Sequence, residues 1–416
     1  MFTVLQSLAG FFVLTGLAWL MSENRSRVRW KVVVVGMVLQ ISLAVVFLKI
    51  PLIQEFFLIL NQGVIALQEA TKTGTSFVFG YLGGGGLPFV EDRPGSSFIL
   101  AFQALPLVLV MSALSAVLYY WRILPMIVQG LSWLLQKSLG ISGALGLGSA
   151  ANIFMGMVEA PVLVRPFLDK MTRSELFALM TGGMATIAGT MMVLYAAILG
   201  SVIPDAMGHI LAASIISAPA ALMVALIMVP DNSGSSQRKV TMMSSENRST
   251  MEAIVHGTTD GITLLINIIA MLIVLVALVA LVNTFLGVLP AIDGELITLQ
   301  RVFGWVMAPV AWLMGVPWAE AATAGALLGT KTVLNEFLAY LDLTKLSTDD
   351  LSERSRLIMT YALCGFANFG SLGIMVGGLT AMAPSRREEI VGLGMRTIVS
   401  GTLATCLTGA VVGILI

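Results

Sequence analysis

The side chains that could do chemistry lie where polar groups are costly. Glu159 is the single ionisable residue of the apolar run Ile141–Val164, in which Gly143, Gly146, Gly148, Gly156 and Pro161 interrupt any continuous helix. A charge near mid-membrane costs at least ~2.5–3.5 kcal/mol on insertion scales, and non-helical backbone is tolerated there only where it is buried in protein or lines a wet cavity. The run therefore reads as a re-entrant, site-forming hairpin. Glu336 stands in a second broken stretch, Pro317–Leu341, with Gly325, Gly329, Lys331 and Asn335. These groups, with Asn152, Thr186, Asn368 and Ser371, are too polar to face lipid; facing one another, they form a wet cavity for a neutral, hydroxyl-rich solute and a small cation. Each carboxylate accepts several hydrogen bonds, which suits the adjacent hydroxyl donors of a sugar, and Glu336 with Asn335 is the candidate clamp. Asn152 and Thr186 carry neutral oxygens. With carbonyls freed at helix breaks, such oxygens can replace the water shell of Na+ without adding a full charge.

A structural reading stands beside each of these. Lys331 could simply neutralise Glu336, although a spacing of five does not place both on one helical face. Asn152 and Thr186 could bridge helices, and Glu159 could be structural too. Cys364 and Cys406 fall in apolar spans and read as buried small side chains, while His209 and His256 are isolated. No nucleophile–base pair or metal-ligand spacing suggests an enzyme.

The elements that position these groups follow from composition. At 57% hydrophobic and 11% charged residues, with a mean hydropathy of +0.93, the chain lies well outside the soluble range of about 25% charged. It is an all-α polytopic membrane protein. A formal charge of zero leaves no argument for nucleic acid as a partner. Eight apolar runs are expected to span: Phe2–Met21, Val32–Leu48, Phe98–Tyr120, Leu176–Ile203, Ile210–Val229, Ile262–Leu289, Leu357–Ala383 and Ile390–Ile416. Met1-Phe2-Thr3-Val4 has no basic region ahead of its apolar run, so the first span is expected to be retained.

Arg25, Arg27, Arg29 and Lys31 put the first loop in the cytoplasm; Arg165, Lys170 and Arg173, then Arg386 and Arg387, do the same for later loops. Both termini are then periplasmic. The amphipathic stretch Phe56–Thr71, ending in Gly83–Gly86, reads as helices along the outer face. Leu124–Leu139 reads as an inner surface helix, and Val302–Gly315, beyond Asp293 and Glu295, as an outer one. The polar, Ser-rich segment Pro230–Thr258, with Arg238, Lys239 and Arg248, is a cytoplasmic linker.

Hairpin, helix, helix occurs twice, entering from opposite sides. Gly183-Met184-Ala185-Thr186-Ile187-Ala188-Gly189 sets beside Gly365-Phe366-Ala367-Asn368-Phe369-Gly370-Ser371. Small-residue patterns of this kind are common in membrane helices, but with two hairpin glutamates they point to the inverted repeats of secondary transporters.

These residues resemble the concentrative nucleoside transporters over nearly the whole chain. The resemblance rests on Gly156-x-x-Glu159-Ala160-Pro161, Arg173-Ser174-Glu175-Leu176-Phe177, Ala185–Gly189, Asn335-Glu336-Phe337-x-Ala339-Tyr340-Leu341 and Ala362–Ser371. It implies a homotrimer of the bacterial inner membrane, in which a scaffold domain holds the trimer while a transport domain containing both hairpins moves as an elevator. It also implies symport of nucleosides with Na+ or, in some members, H+. The division would be residues 1–140 mainly scaffold and interfacial helices, 141–230 the first hairpin repeat, 231–259 linker, 260–300 a scaffold helix, and 301–416 the second hairpin repeat.

Carried over, Glu336, Asn368 and Ser371 would hold the ribose, with Phe366 beside the site and Glu159 on the base side. Gly156, Met157, Val158 and Met191 complete the substrate-binding set. The sodium ligands would be the Asn152 and Thr186 side chains with the Met155 and Ile187 carbonyls, and the asparagine favours Na+ over H+. One departure stands out. Where the family has Gly-Gln-Thr-Glu, this chain has Gly156-Met157-Val158-Glu159, replacing two hydrogen-bonding side chains with apolar ones. An apolar wall distinguishes shapes by only ~1–3 kcal/mol, so altered base selectivity is expected with the ribose end intact. H+ coupling through a glutamate and a channel for a small polar solute are the alternative readings.

Overall fold

The computed structural model describes residues 2–91, 96–230, 247–292, 294 and 296–416. Met1, Arg238 and Lys239 of the polar segment, and Asp293 and Glu295 lie outside them. Two long helices open the chain, α1 (Phe2–Leu20) and α2 (Trp30–Lys49). Pro51 then begins α3 (Pro51–Phe79), at a position where its missing N–H costs nothing. This is one helix of 29 residues where several were expected: Gly63 and Gly74 are carried within it, and the chain turns only at Gly80, whose φ is +60°. Short α4 (Leu100–Gln103) leads into α5 (Leu107–Tyr120), and α6 (Ile123–Leu139) follows.

The first broken stretch folds as α7 (Gly143–Ala151), a non-helical connection, and the single turns α8 (Glu159–Val162) and α9 (Arg165–Leu168). A capping box then starts α10 (Arg173–Ala185): Thr172 Oγ1 accepts from the Glu175 amide at 3.1 Å, and Glu175 Oε2 accepts from the Thr172 amide at 2.9 Å. After α11 (Gly189–Leu199) and α12 (Ala206–Met228) comes α13 (Thr250–Leu286). Ser249 caps α13, so the end of the segment read as linker is already helical. The second half holds α14 (Leu299–Leu313), α15 (Trp318–Val333), α16 (Glu336–Lys345), α17 (Glu353–Leu363), α18 (Phe369–Met382) and α19 (Arg387–Leu415). The expected outer surface helix, α14, packs back along α15 across a bend of 117°.

Seven stretches of the described residues are helical, apolar and long enough to cross a bilayer, and they match seven of the eight expected spans. The eighth, Leu357–Ala383, is divided between α17 and α18. Leu176–Ile203 is also interrupted, between α10 and α11, where Thr186 and Ala188 are extended. Both interruptions fall in the paired glycine patterns. These patterns serve as helix breaks, and the released backbone finds partners nearby: the Gly189 amide donates to the Phe154 carbonyl at 2.8 Å. The two breaks also touch each other. A Cβ on Gly365 would lie 2.9 Å from the Met184 carbonyl oxygen, so only glycine permits this crossing.

The two ends of α1 fix the sense of each hairpin. Near its C-terminal end, Glu23 pairs with Arg173 at 2.9 Å and with Arg396, while Arg386 donates to the Leu168 and Met171 carbonyls at the foot of the first hairpin. At its N-terminal end, Gln6 and Ser7 bond the Val316 and Met314 carbonyls ahead of the second hairpin, at 2.9 and 3.0 Å. The hairpins therefore enter from opposite ends of the bundle. The repeats are inverted, as expected.

α1 packs on α19 and α14, and α2 on α12, inside the body that holds both hairpins. α5 and α13 pack on each other, and α13 is exposed along most of its length. Cys364 and Cys406 are free and fully buried in this body.

Candidate functional site

A cavity of about 590 Å³ opens between the two hairpins, the two helix breaks and one face of α13. Each hairpin and each break brings a helix start to its wall: α8 at Glu159, α11 at Gly189, α16 at Glu336 and α18 at Phe369. Helix starts carry unpaired N–H groups and the positive end of the backbone dipole, which favours acidic side chains and hydroxyl oxygens there.

The Glu336 carboxylate is the best-held group of the site. Its Oε1 accepts from the Tyr195 hydroxyl at 2.5 Å and its Oε2 from Asn368 Nδ2 at 2.9 Å. Asn368 is fixed in turn, because its Oδ1 accepts from the Ser371 amide at 2.7 Å and caps α18. Asn335 does the same for α16, its Oδ1 accepting from the Leu338 amide at 2.9 Å, so half of the expected clamp is a cap. Lys331 does not pair with Glu336. It is fully buried, and its Nζ donates to the Ala362 carbonyl and Thr405 Oγ1, both at 2.8 Å, tying α15 to α17 and α19.

Every residue named above for substrate lines this cavity: Gly156, Met157, Val158 and Glu159 from the first hairpin, Met191 from α11, Glu336 from the second hairpin, and Phe366, Asn368 and Ser371 from the second break. Sequence reasoning missed Tyr195. An isolated tyrosine in an apolar helix ordinarily reads as core, and its partner Glu336 is far away in the chain. It also missed Asp260, Thr263 and Asn267 of α13 as site residues; all three line the cavity.

Asn152, Met155, Thr186 and Ile187 do not line the cavity; they meet behind it, where the first hairpin abuts the first break. Thr186 Oγ1 lies 2.7 Å from the Asn152 carbonyl oxygen and 2.8 Å from that of Gly182. Its one proton satisfies either, which leaves the hydroxyl lone pairs for a cation. Asn152 is 1% exposed; its Nδ2 donates to the Leu179 carbonyl at 3.3 Å, while its Oδ1 has no hydrogen-bond partner. Met155 and Ile187 sit in the two non-helical connections, where carbonyls leave the helical ladder. A buried, unsatisfied carboxamide oxygen among neutral oxygens fits the Na+ donor set.

Family models match along the chain: the Na+ dependent nucleoside transporter N-terminus over residues 9–82, a nucleoside recognition gate over 101–202, and the Na+ dependent nucleoside transporter C-terminus over 209–413. The chain belongs to the Na+-dependent nucleoside transporter family. The nucleoside permease NupC of Helicobacter pylori is 34% identical, over 100% of this chain and 98% of its own length. Solute carrier family 28 member 3 of Mus musculus is 35% identical over 99% of this chain, which spans 59% of that longer relative. Among solved structures, CNTnw in an inward-facing substrate-bound state superposes with a TM-score of 0.89 at 34% identity, covering 99% of this chain and 97% of CNTnw. A substituted CNTnw in an outward-facing state gives 0.91 at the same identity and coverage. The protein is thus a multi-pass membrane transporter with the nucleoside transporter fold of scaffold and transport domains. The family comprises transporters, so neither the channel nor the enzyme reading finds support.

Proposed function

We propose that this chain is a Na+-coupled nucleoside symporter working by elevator-type movement, with nucleobase selectivity altered at Met157 and Val158. The observation that carries the substrate reading is the Glu336 carboxylate, oriented by Tyr195 and Asn368 at the wall of the cavity. A carboxylate held on both oxygens keeps lone pairs for the 2′- and 3′-hydroxyls of a ribose. Ser371 and Phe366 flank it, and Glu159, Gly156 and Met191 face the remainder of the solute.

Coupling follows from where the cation oxygens sit. Asn152 ends α7, and Thr186 opens the break between α10 and α11. A cation between them draws the first hairpin against the broken span, four residues ahead of Gly156. Ordering the hairpin tip and closing it over the solute become one event, so neither cargo crosses readily alone. H+ coupling is the second reading. What favours it is that neither Glu159 nor Glu336 forms an ion pair among the described residues, so either could carry a proton.

The scaffold in this reading is narrower than residues 1–140 with 260–300. α1 and α2 travel with the helices they pack against, α19, α14 and α12, leaving α5 and α13, with their long exposed faces, as the static part and the surface for a homotrimer. The acidic and basic cluster around Glu23 lies on the cytoplasmic side of a bacterial inner membrane, with both termini periplasmic. Uptake of labelled purine and pyrimidine nucleosides into proteoliposomes tests this directly. Accumulation driven by an inward Na+ gradient is expected. Accumulation driven only by a pH gradient in Na+-free buffer would move the coupling to a glutamate, and no uptake of any nucleoside would end the reading.

A further inference from the structure

α13 is strongly apolar through the bilayer, which makes its polar residues conspicuous. Asp260, Leu264, Asn267, Met271 and Leu275 follow one another at three- or four-residue steps, and all five line the cavity, as does Thr263. They form one stripe, polar in its first half and apolar in its second. The two halves face different ends of the solute site. Gly370, next to the ribose-side Asn368, lies against the second half: a Cβ there would meet Met271 Cε at 3.4 Å and Leu275 Cδ1 at 3.9 Å. The first half shares the cavity with the first hairpin, from Gly156 to Glu159.

The polar half therefore stands away from the ribose end, in the cavity it shares with the first hairpin, where Met157 and Val158 have replaced hydrogen-bonding side chains. Asn267 lies about 25 Å along α13 from Thr250, at 1.5 Å per residue, deep in the span. A carboxamide at that depth needs polar partners, and lipid offers none. Asn283 on the same helix has its partners within the protein: its Nδ2 donates to Gln300 Oε1 at 3.1 Å and its Oδ1 accepts from the Leu299 amide at 2.8 Å. Thr263 Oγ1 bonds back to the Thr259 carbonyl at 3.3 Å, leaving its lone pairs toward the cavity.

We infer that the nucleobase is read by the α13 stripe Asp260, Thr263 and Asn267, in place of the first hairpin tip, and that this favours bases presenting an amino group. Asp260 accepts only, so it rewards an N–H donor; Asn267 can both donate and accept, so it sets orientation; Met157 and Val158 supply the apolar wall. The inference rests on the nucleoside reading above. It also places base recognition on the static element, so the base is read only while the transport domain stands at this level of α13.

The test is competition between nucleosides sharing one ribose, cytidine against uridine and adenosine against inosine, in proteoliposome uptake and in binding to purified protein. Binding keeps the ratio readable for a variant that cannot cycle. Asp260→Asn keeps an acceptor for the amino group but loses the charge and gains an N–H donor for the competing carbonyl, so it is expected to lower the preference for the amino-bearing partner of each pair by about three- to tenfold. Asn267→Leu should flatten both ratios. Asn283→Leu, which removes a structural bond, should weaken all four nucleosides alike. Ratios that stay within about twofold in the Asp260 and Asn267 variants, less than one hydrogen bond is worth, would overturn the assignment alone. Equal weakening of all four nucleosides in those variants would do the same, since it marks a structural role. An unsubstituted protein that neither binds nor accumulates any nucleoside would remove the nucleoside reading, and this assignment with it.

Discussion

Tyr195 shows how much of the site depends on residues that never look functional in sequence. Its hydroxyl fixes one oxygen of Glu336 while Asn368 fixes the other, so the carboxylate cannot rotate freely toward the solute. Removing that bond by Tyr195→Phe forfeits a hydrogen bond to an acidic group, worth ~1.5–3 kcal/mol. The KM for nucleoside uptake should rise by about tenfold or more, the kinetic equivalent of that loss. An unchanged KM would mean that Asn368 alone positions Glu336. The cation oxygens make a separate residue-scale claim. Asn152→Ala deletes the buried oxygen that has no protein partner. It should shift half-maximal Na+ activation to higher concentration, with a modest loss of thermal stability because the Nδ2 bond to the Leu179 carbonyl goes too; unaltered activation would count against the site. Glu159 and Glu336 were legible in sequence because a charge costs too much in a broken apolar run to persist there without a polar cavity to face. Tyr195 was not, since burial accounts for an aromatic side chain equally well and nothing local betrays a partner more than a hundred residues away.

At the scale of elements, both hairpins and their opposite senses were readable from glycines, a proline and loop charges. The breaks at Thr186 and Asn368 were not. Glycines spaced along an apolar run mark close packing and helix interruption with the same letters, and only the partner's position separates them. Here both hold at once, because the two breaks are the points of closest approach. Gly365→Ala would force a methyl to within 2.9 Å of the Met184 carbonyl oxygen and 2.8 Å of Thr405 Cγ2. Overpacking of this kind costs ~1–3 kcal/mol. A lowered melting temperature of the purified protein is expected, with uptake reduced for every nucleoside alike. A variant as stable as the parent would mean that the crossing is looser than its geometry indicates.

For the whole molecule, the groups at one end of the bundle tie the moving parts together. Glu23, in the loop after α1, accepts from Arg173 and Arg396, while Arg173 also approaches Glu389 at 3.7 Å and Arg386 holds the foot of the first hairpin. The Arg173 guanidinium, bonded to Glu23, and then Arg396 hold that carboxyl below its ordinary range. The folded protein thus binds this proton more weakly than the unfolded chain does. The resulting stability is complete above the unfolded carboxylate value of about 4.3 and is lost as pH falls through the lower folded value. The melting-temperature gap between the parent and Glu23→Gln should therefore be widest near neutrality and close on acidification. A gap that widened toward low pH would contradict the pairing. The inverted arrangement of the whole was anticipated from the repeat. The packing of α1 and α2 was not, because nothing in them as sequences says that they lean on α19 and α12.

The burial of Cys364 and Cys406 makes the natural chain convenient for spectroscopy. A maleimide dye added to the folded protein should find no thiol, so one cysteine introduced on α13 and another on the first hairpin could be labelled without first removing the native pair. The distance between the two dyes would then report the vertical travel of one body past the other, in a protein altered at only those two positions.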